Sequence, residues 1–412
     1  MIRRHQLAVA PRITLSSLAR AGVAQLDPRL RVVSELQAKL RSQFSASRCL
    51  LTDSGTSALV LALRMLLPRG GVVGLPGYGC VDITSAVKFA GVDARLYDID
   101  PATLSPDLDS VKRLLKRGVN ALLVAHYYGY PADVPAVRSL ASEYGVPVLE
   151  DAAQAAGGYL HGERLGALGE VSVLSFGRGK GLFGGGGGAL LVRSPERNCL
   201  EDLAPLGRAH GVSELLAAGA QWLLGRPRLY GIPASIPSLR LGEMVYHPAH
   251  EPRSLSSVAA SLTLTALANE RHDRQSRARK ASVFHALATD ADGLTPIHPI
   301  DGGDPGYLRF AVLDRSRSRR VAGSLGVMSG YPRTLREQME LRPHLMAGEP
   351  ATPGATELRE SLFTLPTHAF VTKMDFVALQ TWMHAAAHPY ATERATTRQL
   401  GLESPMYEGS RR

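Results

Sequence analysis

Residues Pro147–Val192 read PVLEDAAQAAGGYLHGERLGALGEVSVLSFGRGKGLFGGGGGALLV, and the parsing of this stretch decides the fold. A short apolar run at Val148-Leu149, entered through Pro147, ends on the acids Glu150 and Asp151. Buried strands that deliver a side chain to a site have this pattern, and proline is tolerated at a strand's first position. A second run, Val171–Phe176, closes on Ser175-Phe176 and is followed by Lys180 among glycines. An acid ending one strand and a lysine just past another meet the needs of pyridoxal phosphate. The amine forms a Schiff base, and the carboxylate keeps the pyridine nitrogen protonated so that the ring acts as an electron sink. Lys180 and Asp151 are therefore the expected catalytic pair.

The segment resembles the DegT/DnrJ/EryC1/StrS sugar aminotransferase family of fold-type-I pyridoxal phosphate enzymes. Members read E-D-A-A-Q-A-x-G, then G-D-x-x-x-F-S-F-x-x-x-K, then a G-E-G-G turn. Here these become Glu150–Gly157, then Gly169-Glu170 through Ser175-Phe176 to Lys180, then Gly185–Gly188. The resemblance runs from near Val32 to near His388, strong through Val192 and weak from there to Ser254. It implies an α/β fold: a large domain with a mostly parallel seven-stranded sheet and a smaller C-terminal α/β domain. The expected divisions are an N-terminal helical segment at 1–48, a cofactor domain at 49–245, a small domain at 246–390 and a tail at 391–412. It also implies transfer of an amino group from an amino acid, glutamate by default, to a keto-sugar, most often nucleotide-linked, in polysaccharide or secondary-metabolite biosynthesis. Gln154 is then expected to bond the ring's phenolic oxygen, and a homodimer to share its active sites, with Arg253 a candidate contribution from the partner.

Upstream, Pro28–Phe44 has helical spacing, with Leu30, Val33, Leu36 and Leu40 apolar. A short strand from Cys49 runs into the turn Ser54-Gly55-Thr56-Ser57, and Ala58–Leu67 is helical. A helix opening at Gly-Thr-Ser offers amides and hydroxyls to an anion, although an ordinary serine/threonine cap accounts for the same residues. The family's phosphate motif, S-G-T-x-A-L, assigns Gly55, Thr56 and Ser57 to the cofactor phosphate, with Ser175 beside them. Val72–Leu75, Ala94–Tyr97 and Asn120–Ala125 read as strands, and Asp82–Ala90 and Ala132–Tyr144 as helices. Such alternation argues for a mostly parallel sheet covered on both faces, with ligands beyond the carboxyl ends of its strands.

Three departures from the family stand out. Its loop P-A-Y-T-F or P-S-M-T-W ends in an aromatic that stacks on the pyridine ring, and this chain has Cys80 there. Tyr78 swinging in, or Cys80 packing on the cofactor, are the two replacements open, so both belong to the expected cofactor pocket. The acid of G-E-G-G is Gly186, which permits the turn but loses whatever the acid holds. Where many members read H-Y-x-x-x-x-H, this chain has Gly330-Tyr331-Pro332-Arg333-Thr334-Leu335, without either histidine.

The 412 residues are 45% hydrophobic and 20% charged, ordinary for a globular protein. Three cysteines without metal spacing fit a reducing cytosol, with no disulfide framework and no metal site expected. The opening MIRRHQLAVAPRITL has no sustained apolar core and reads as no signal peptide. A net charge of +10 raises nucleic acid as a partner, but the arginines are dispersed and no basic–aromatic groove follows, so none is expected. Gly179–Gly184 matches G-x-G-x-x-G yet opens no helix, and Gly181 fails a Walker A loop.

Leu215–Leu224, an apolar helix with Trp222, precedes Arg226-Pro227-Arg228. It reads as a dimer contact or lid, or residues 214–240 grip a lipid-like substrate or membrane surface. Helices follow at Leu255–Leu267 and Arg271–Ala286, and residues past Tyr390 read as a loose tail. Two rivals to transamination remain: a dehydratase or lyase using the same cofactor, and a scaffold without turnover. In the family's dehydratase branch the lysine is histidine, so Lys180 favours transamination.

Overall fold

In the computed structural model, which describes residues 4–27, 29–193 and 211–385, the first helices are α1 (Leu15–Gln25) and α2 (Arg31–Gln43). Alternation then runs β1 (Arg48–Thr52), α3 (Gly55–Leu66), β2 (Val72–Pro76), α4 (Val81–Ala90), β3 (Asp93–Tyr97), α5 (Leu108–Lys116), β4 (Ala121–Ala125), α6 (Val134–Ser142) and β5 (Val148–Asp151). Two short strands, β6 (Tyr159–Leu160) and β7 (Glu163–Arg164), precede β8 (Val171–Ser175) and β9 (Gly188–Val192). These strands, β6 and β7 apart, form a seven-stranded sheet in the order β1-β9-β8-β5-β4-β2-β3. Only β9 runs against the others, because it pairs antiparallel with both β8 and β1. Antiparallel neighbours need no crossover helix, so the β8–β9 link is free to be a loop, and that loop carries Lys180.

Strand β4 (ALLVA) is apolar and buried at every position, as expected of a strand covered on both faces. Helix α3 lies under this sheet, with Ser57 through Leu63, Met65 and Leu66 buried. Helix α4 stops at Gly91, whose φ of 69° is the left-handed geometry that ends helices cheaply.

Beyond the sheet come α7 (Gly211–Leu224), α8 (Gly231–Ala234), α9 (Ser257–Thr289), β10 (Leu294–Pro296), β11 (Gly303–Asp304), β12 (Arg309–Asp314), β13 (Met328–Ser329), α10 (Pro353–Ser361), β14 (Leu362–Pro366) and α11 (Lys373–His384). Strands β10, β12, β14 and β13 make an antiparallel sheet in that order. A separate core forms there from Phe284, Ala288, Phe310, Val312, Leu365, Leu379 and Met383. The division expected between 245 and 246 falls in the stretch ahead of α9.

One expectation needs correction. The helices read at Leu255–Leu267 and Arg271–Ala286 are one 33-residue helix, since no glycine or proline interrupts SVAASLTLTALANERHDRQSRARKASVFHALAT. Its first half packs on the large core through Ala259, Ala260 and Leu267, and its second half lies in the smaller one. Within the helical segment expected at 1–48, periodicity singled out only Pro28–Phe44, and the structure adds α1, which begins on a Thr14–Ser17 capping box. Its apolar residues are split, with Ala21 buried and Leu15 and Val23 exposed, so it lacks a one-sided stripe. Pro28, Cys199 and the expected tail after Tyr390 lie outside the described residues. No described helix is long and apolar enough to cross a membrane.

Candidate active site

The carboxyl ends of β5 and β8 and the amino end of α3 meet around a cavity of about 270 Å³. Gly55, Thr56, Cys80, Asp151, Ser175 and Lys180, six of the residues singled out in the sequence, line it. Asp53, Ser54, Asp82, Arg178, Gly186 and Gly187 line it as well and were not anticipated there.

At one end, Ser54 caps α3 by accepting a hydrogen bond from the Ser57 amide (3.0 Å). The geometry of a helix leaves its other first-turn amides to an outside acceptor, which suits this end of the cavity to an anion. Gly55 is obligatory: a Cβ there would stand 2.7 Å from the Cβ of Ser175, so only glycine brings α3 against β8. Ser57, expected on the phosphate, turns inward instead. Its hydroxyl donates to Asp53 (2.6 Å) and accepts from Ser54 (2.9 Å), and it lines no part of the cavity. Cap chemistry explains the swap, since the capping residue faces outward and the third helical residue faces back.

Across the cavity, Asp151 accepts from the Ala153 amide (3.0 Å). Burial pushes its carboxyl up, while that amide and the Lys180 ammonium oppose the shift. A cation placed beside it from the cavity therefore meets an acid with little solvent to compete. Among the described residues neither Lys180 nor Arg178 has a hydrogen-bond or ion-pair partner, so both cations are free toward the cavity.

Glu150, the neighbour of Asp151, points the other way along β5 and anchors the strand end. Its oxygens accept from the amides of Gly166 (2.5 Å), Leu168 (2.9 Å) and Gly169 (2.8 Å), from Ser172 (3.0 Å) and from His126 Nε2 (2.9 Å). Nδ1 of His126 accepts from the Ala132 amide (2.9 Å), so the proton donated to Glu150 is on Nε2. Burial alone would push Glu150 up, but His126 and the amides of Gly169 and Gly166 outweigh it and hold the carboxyl at about 2. Because the folded value lies below the ordinary 4.5, the stabilisation is full above about pH 4.5 and is lost as pH falls toward about 2. Glu150→Gln, which turns an amide donor toward these donors, is expected to cost about 3 kcal/mol at neutral pH. Denaturant melts of both proteins check this: the gap should narrow below pH 4.5, and a gap constant with pH contradicts the assignment.

Cys80 lines the same cavity. Burial, and then the Asp82 carboxylate 3.5 Å from its sulfur, push the thiol up to about 12, so it stays a neutral packing group. Tyr78 does not swing in. It is fully buried, its hydroxyl accepts from the Tyr331 amide (2.8 Å) and meets the Tyr128 hydroxyl (3.2 Å), and it is absent from the cavity lining. Gln154 likewise lies behind the lining, accepting from the Tyr128 amide (2.9 Å) and donating to the Tyr331 hydroxyl (2.7 Å). Its second N–H and second lone pair remain available.

Gly330 explains where Tyr78 went. A Cβ at 330 would collide with the Tyr78 hydroxyl, so the tyrosine fills space that a larger residue at 330 requires. Gly330→Ala is expected to destabilise by about 1–3 kcal/mol through overpacking. Tyr78→Phe in that background should recover part of it. An unchanged melting temperature in the single variant contradicts this coupling. Arg253 holds Asp53 through its backbone, accepting from the Asp53 amide (2.9 Å) and donating to its carboxylate (3.3 Å) within the same chain.

A sheet of this order with one reversed strand, and a lysine loop opening onto the strand ends, give the chain the fold of the fold-type-I pyridoxal phosphate-dependent enzymes. The chain belongs to the DegT/DnrJ/EryC1/StrS aminotransferase family, whose model matches residues 31–322. It is 32% identical over 223 residues to an L-glutamine:2-deoxy-scyllo-inosose aminotransferase of Streptoalloteichus tenebrarius, covering 50% of this chain and 51% of that one. It is 40% identical over 149 residues to a dTDP-3-amino-3,4,6-trideoxy-alpha-D-glucose transaminase of Streptomyces venezuelae, covering 35% and 38%. The chain thus spans about half the length of the first relative and less of the second. Among solved structures, the E. coli GDP-4-keto-6-deoxy-D-mannose-3-dehydratase with bound hydrated PLP superposes with a TM-score of 0.73 over 93% of this chain and 100% of that one. At 15% identity that likeness is one of fold.

Proposed function

We propose that this chain is a pyridoxal phosphate-dependent aminotransferase acting on a keto-sugar, nucleotide-linked by preference, with an amino acid as donor. The reading rests above all on Asp151 and Lys180 facing one cavity whose far end is the amino terminus of α3. Residues present fit the cofactor: free first-turn amides, the Thr56 and Ser175 hydroxyls for a phosphate, and a buried carboxylate for a ring cation. Bound pyridoxal phosphate supplies an aldehyde carbon and a ring that accepts an electron pair. Lys180 then carries the proton at Nζ between the substrate carbon and the site, for which an unpaired amine is suited. Asp151 holds a proton on the ring nitrogen by its charge, and Cys80 packs without reacting.

Glutamate is the donor expected by default, and the relative above is named for L-glutamine, so both belong in the test. The purified chain, titrated with pyridoxal phosphate and then with each donor and a panel of nucleotide-linked keto-sugars, should turn yellow, bleach with a donor and recolour with the right ketone. A colourless mixture, or loss of ammonia without amino-sugar product, overturns the reading. The chain acts as a homodimer in this proposal, supported by eight large apolar side chains left exposed from Val212 to Met244. A monomer with full activity in sedimentation contradicts it.

A further inference from the structure

Five consecutive glycines, Gly184–Gly188, close the cavity between the lysine loop and β9, and four of them are glycine for visible reasons. A Cβ at Gly184 would lie 2.5 Å from Thr263 Oγ1, and one at Gly188 would lie 2.6 Å from the Ser54 carbonyl. Gly185 and Gly187 have φ of +81° and +101°, which side-chain-bearing residues rarely adopt. Gly186 differs. Its φ is not positive, and the three atoms nearest its missing Cβ all belong to one flexible side chain: Glu214 Oε1 at 3.3 Å, Cδ at 3.7 Å and Cγ at 3.8 Å. A carboxylate therefore does occupy the side-chain space of residue 186, but it comes from α7.

The run needs such a hold. Its ends are fixed by backbone hydrogen bonds, Gly184 N to Phe176 O (2.7 Å), Gly187 N to Asp53 O (2.9 Å) and Phe176 N to Gly187 O (2.8 Å). Among the described residues Gly185 and Gly186 make none, and ordering glycine costs more backbone entropy than ordering any other residue. Glu214 is itself fixed, because Ser256, the capping residue of α9, donates its hydroxyl to Oε2. Phe183, just ahead of the run, is buried on the same side with Ala218 of α7 and Val258 and Leu262 of α9.

We propose that Glu214 is a positioning residue: its carboxylate, delivered by α7 and held by Ser256, takes the place of a side chain at 186 and keeps Gly185-Gly186 in place as a wall of the cavity. On this proposal an acid from α7 stands in for the one the family carries at 186. Its significance for cofactor binding rests on the reading of the cavity as the pyridoxal phosphate site, whereas the hold on the glycine run does not.

Two readouts separate the two. Hydrogen exchange of the apo protein reads the wall alone, at the hydrogen-bonded Gly184 and Gly187 amides that flank the pair: Glu214→Ala should speed exchange there about tenfold, Glu214→Gln should change it little, and the double variant Glu214→Ala/Gly186→Glu should restore protection. Cofactor titration of the same proteins should show affinity falling about tenfold in Glu214→Ala and returning in the double variant. Unchanged exchange in Glu214→Ala, or a double variant no better protected than the single one, overturns the proposal. If exchange follows the pattern while wild-type protein takes up no cofactor, the hold stands and the cofactor reading falls.

Discussion

Lys180→Ala is expected to lower transamination by at least about 10⁴-fold while leaving the fold intact. Lys180 makes no hydrogen bond or ion pair with any described residue, so its removal breaks none. The loss should fall on kcat, because the amine carries a proton in the step rather than contributing uniform binding. Two measurements distinguish this from damage to the site. Borohydride treatment should fix cofactor to residue 180 in the wild type and nowhere in the variant. Added small primary amines should return part of the activity to the variant, because they supply the missing proton acceptor to a cavity with room for them. A variant within tenfold of wild-type activity excludes Lys180 from the chemistry.

Asp151→Asn should lower kcat by about 10²–10³-fold with little change in melting temperature. Asparagine keeps the volume and the oxygen that accepts from the Ala153 amide (3.0 Å), and removes only the charge. That charge is the useful part. Burial pushes the Asp151 carboxyl up, so a cation brought beside it stabilises the ionised form and is stabilised in return. The variant should bind cofactor yet show a shifted visible band and a weakened donor half-reaction. A loss under about threefold places the ring cation's partner elsewhere.

How far the site was legible in sequence depends on the range of the contacts involved. Asp151 and Lys180 were readable because each sits at the end of a short apolar run, and strand ends in such sheets face the ligand. Gly55 and Thr56 were readable as cavity residues for a local reason, the first turn of a helix. Ser54 and Ser57 exchanged roles because a hydroxyl's direction depends on which residue is the cap, and the motif alone does not specify it. Arg178 passed unnoticed between two glycines of the lysine loop, although a second cation two residues from Lys180 is a signal in itself.

Periodicity and local chemistry alone determined the alternating sheet, the acid and lysine at its edge and the glycine turn behind them. These are properties of neighbouring residues, which the chain carries before it folds. Only the tertiary structure decided that Tyr78 packs under Gly330, that Gln154 lies between Tyr128 and Tyr331, and that Glu214 stands where residue 186 has no side chain. Each outcome depends on the space left by a residue distant in sequence, and close packing fixes such space only once both segments are in place.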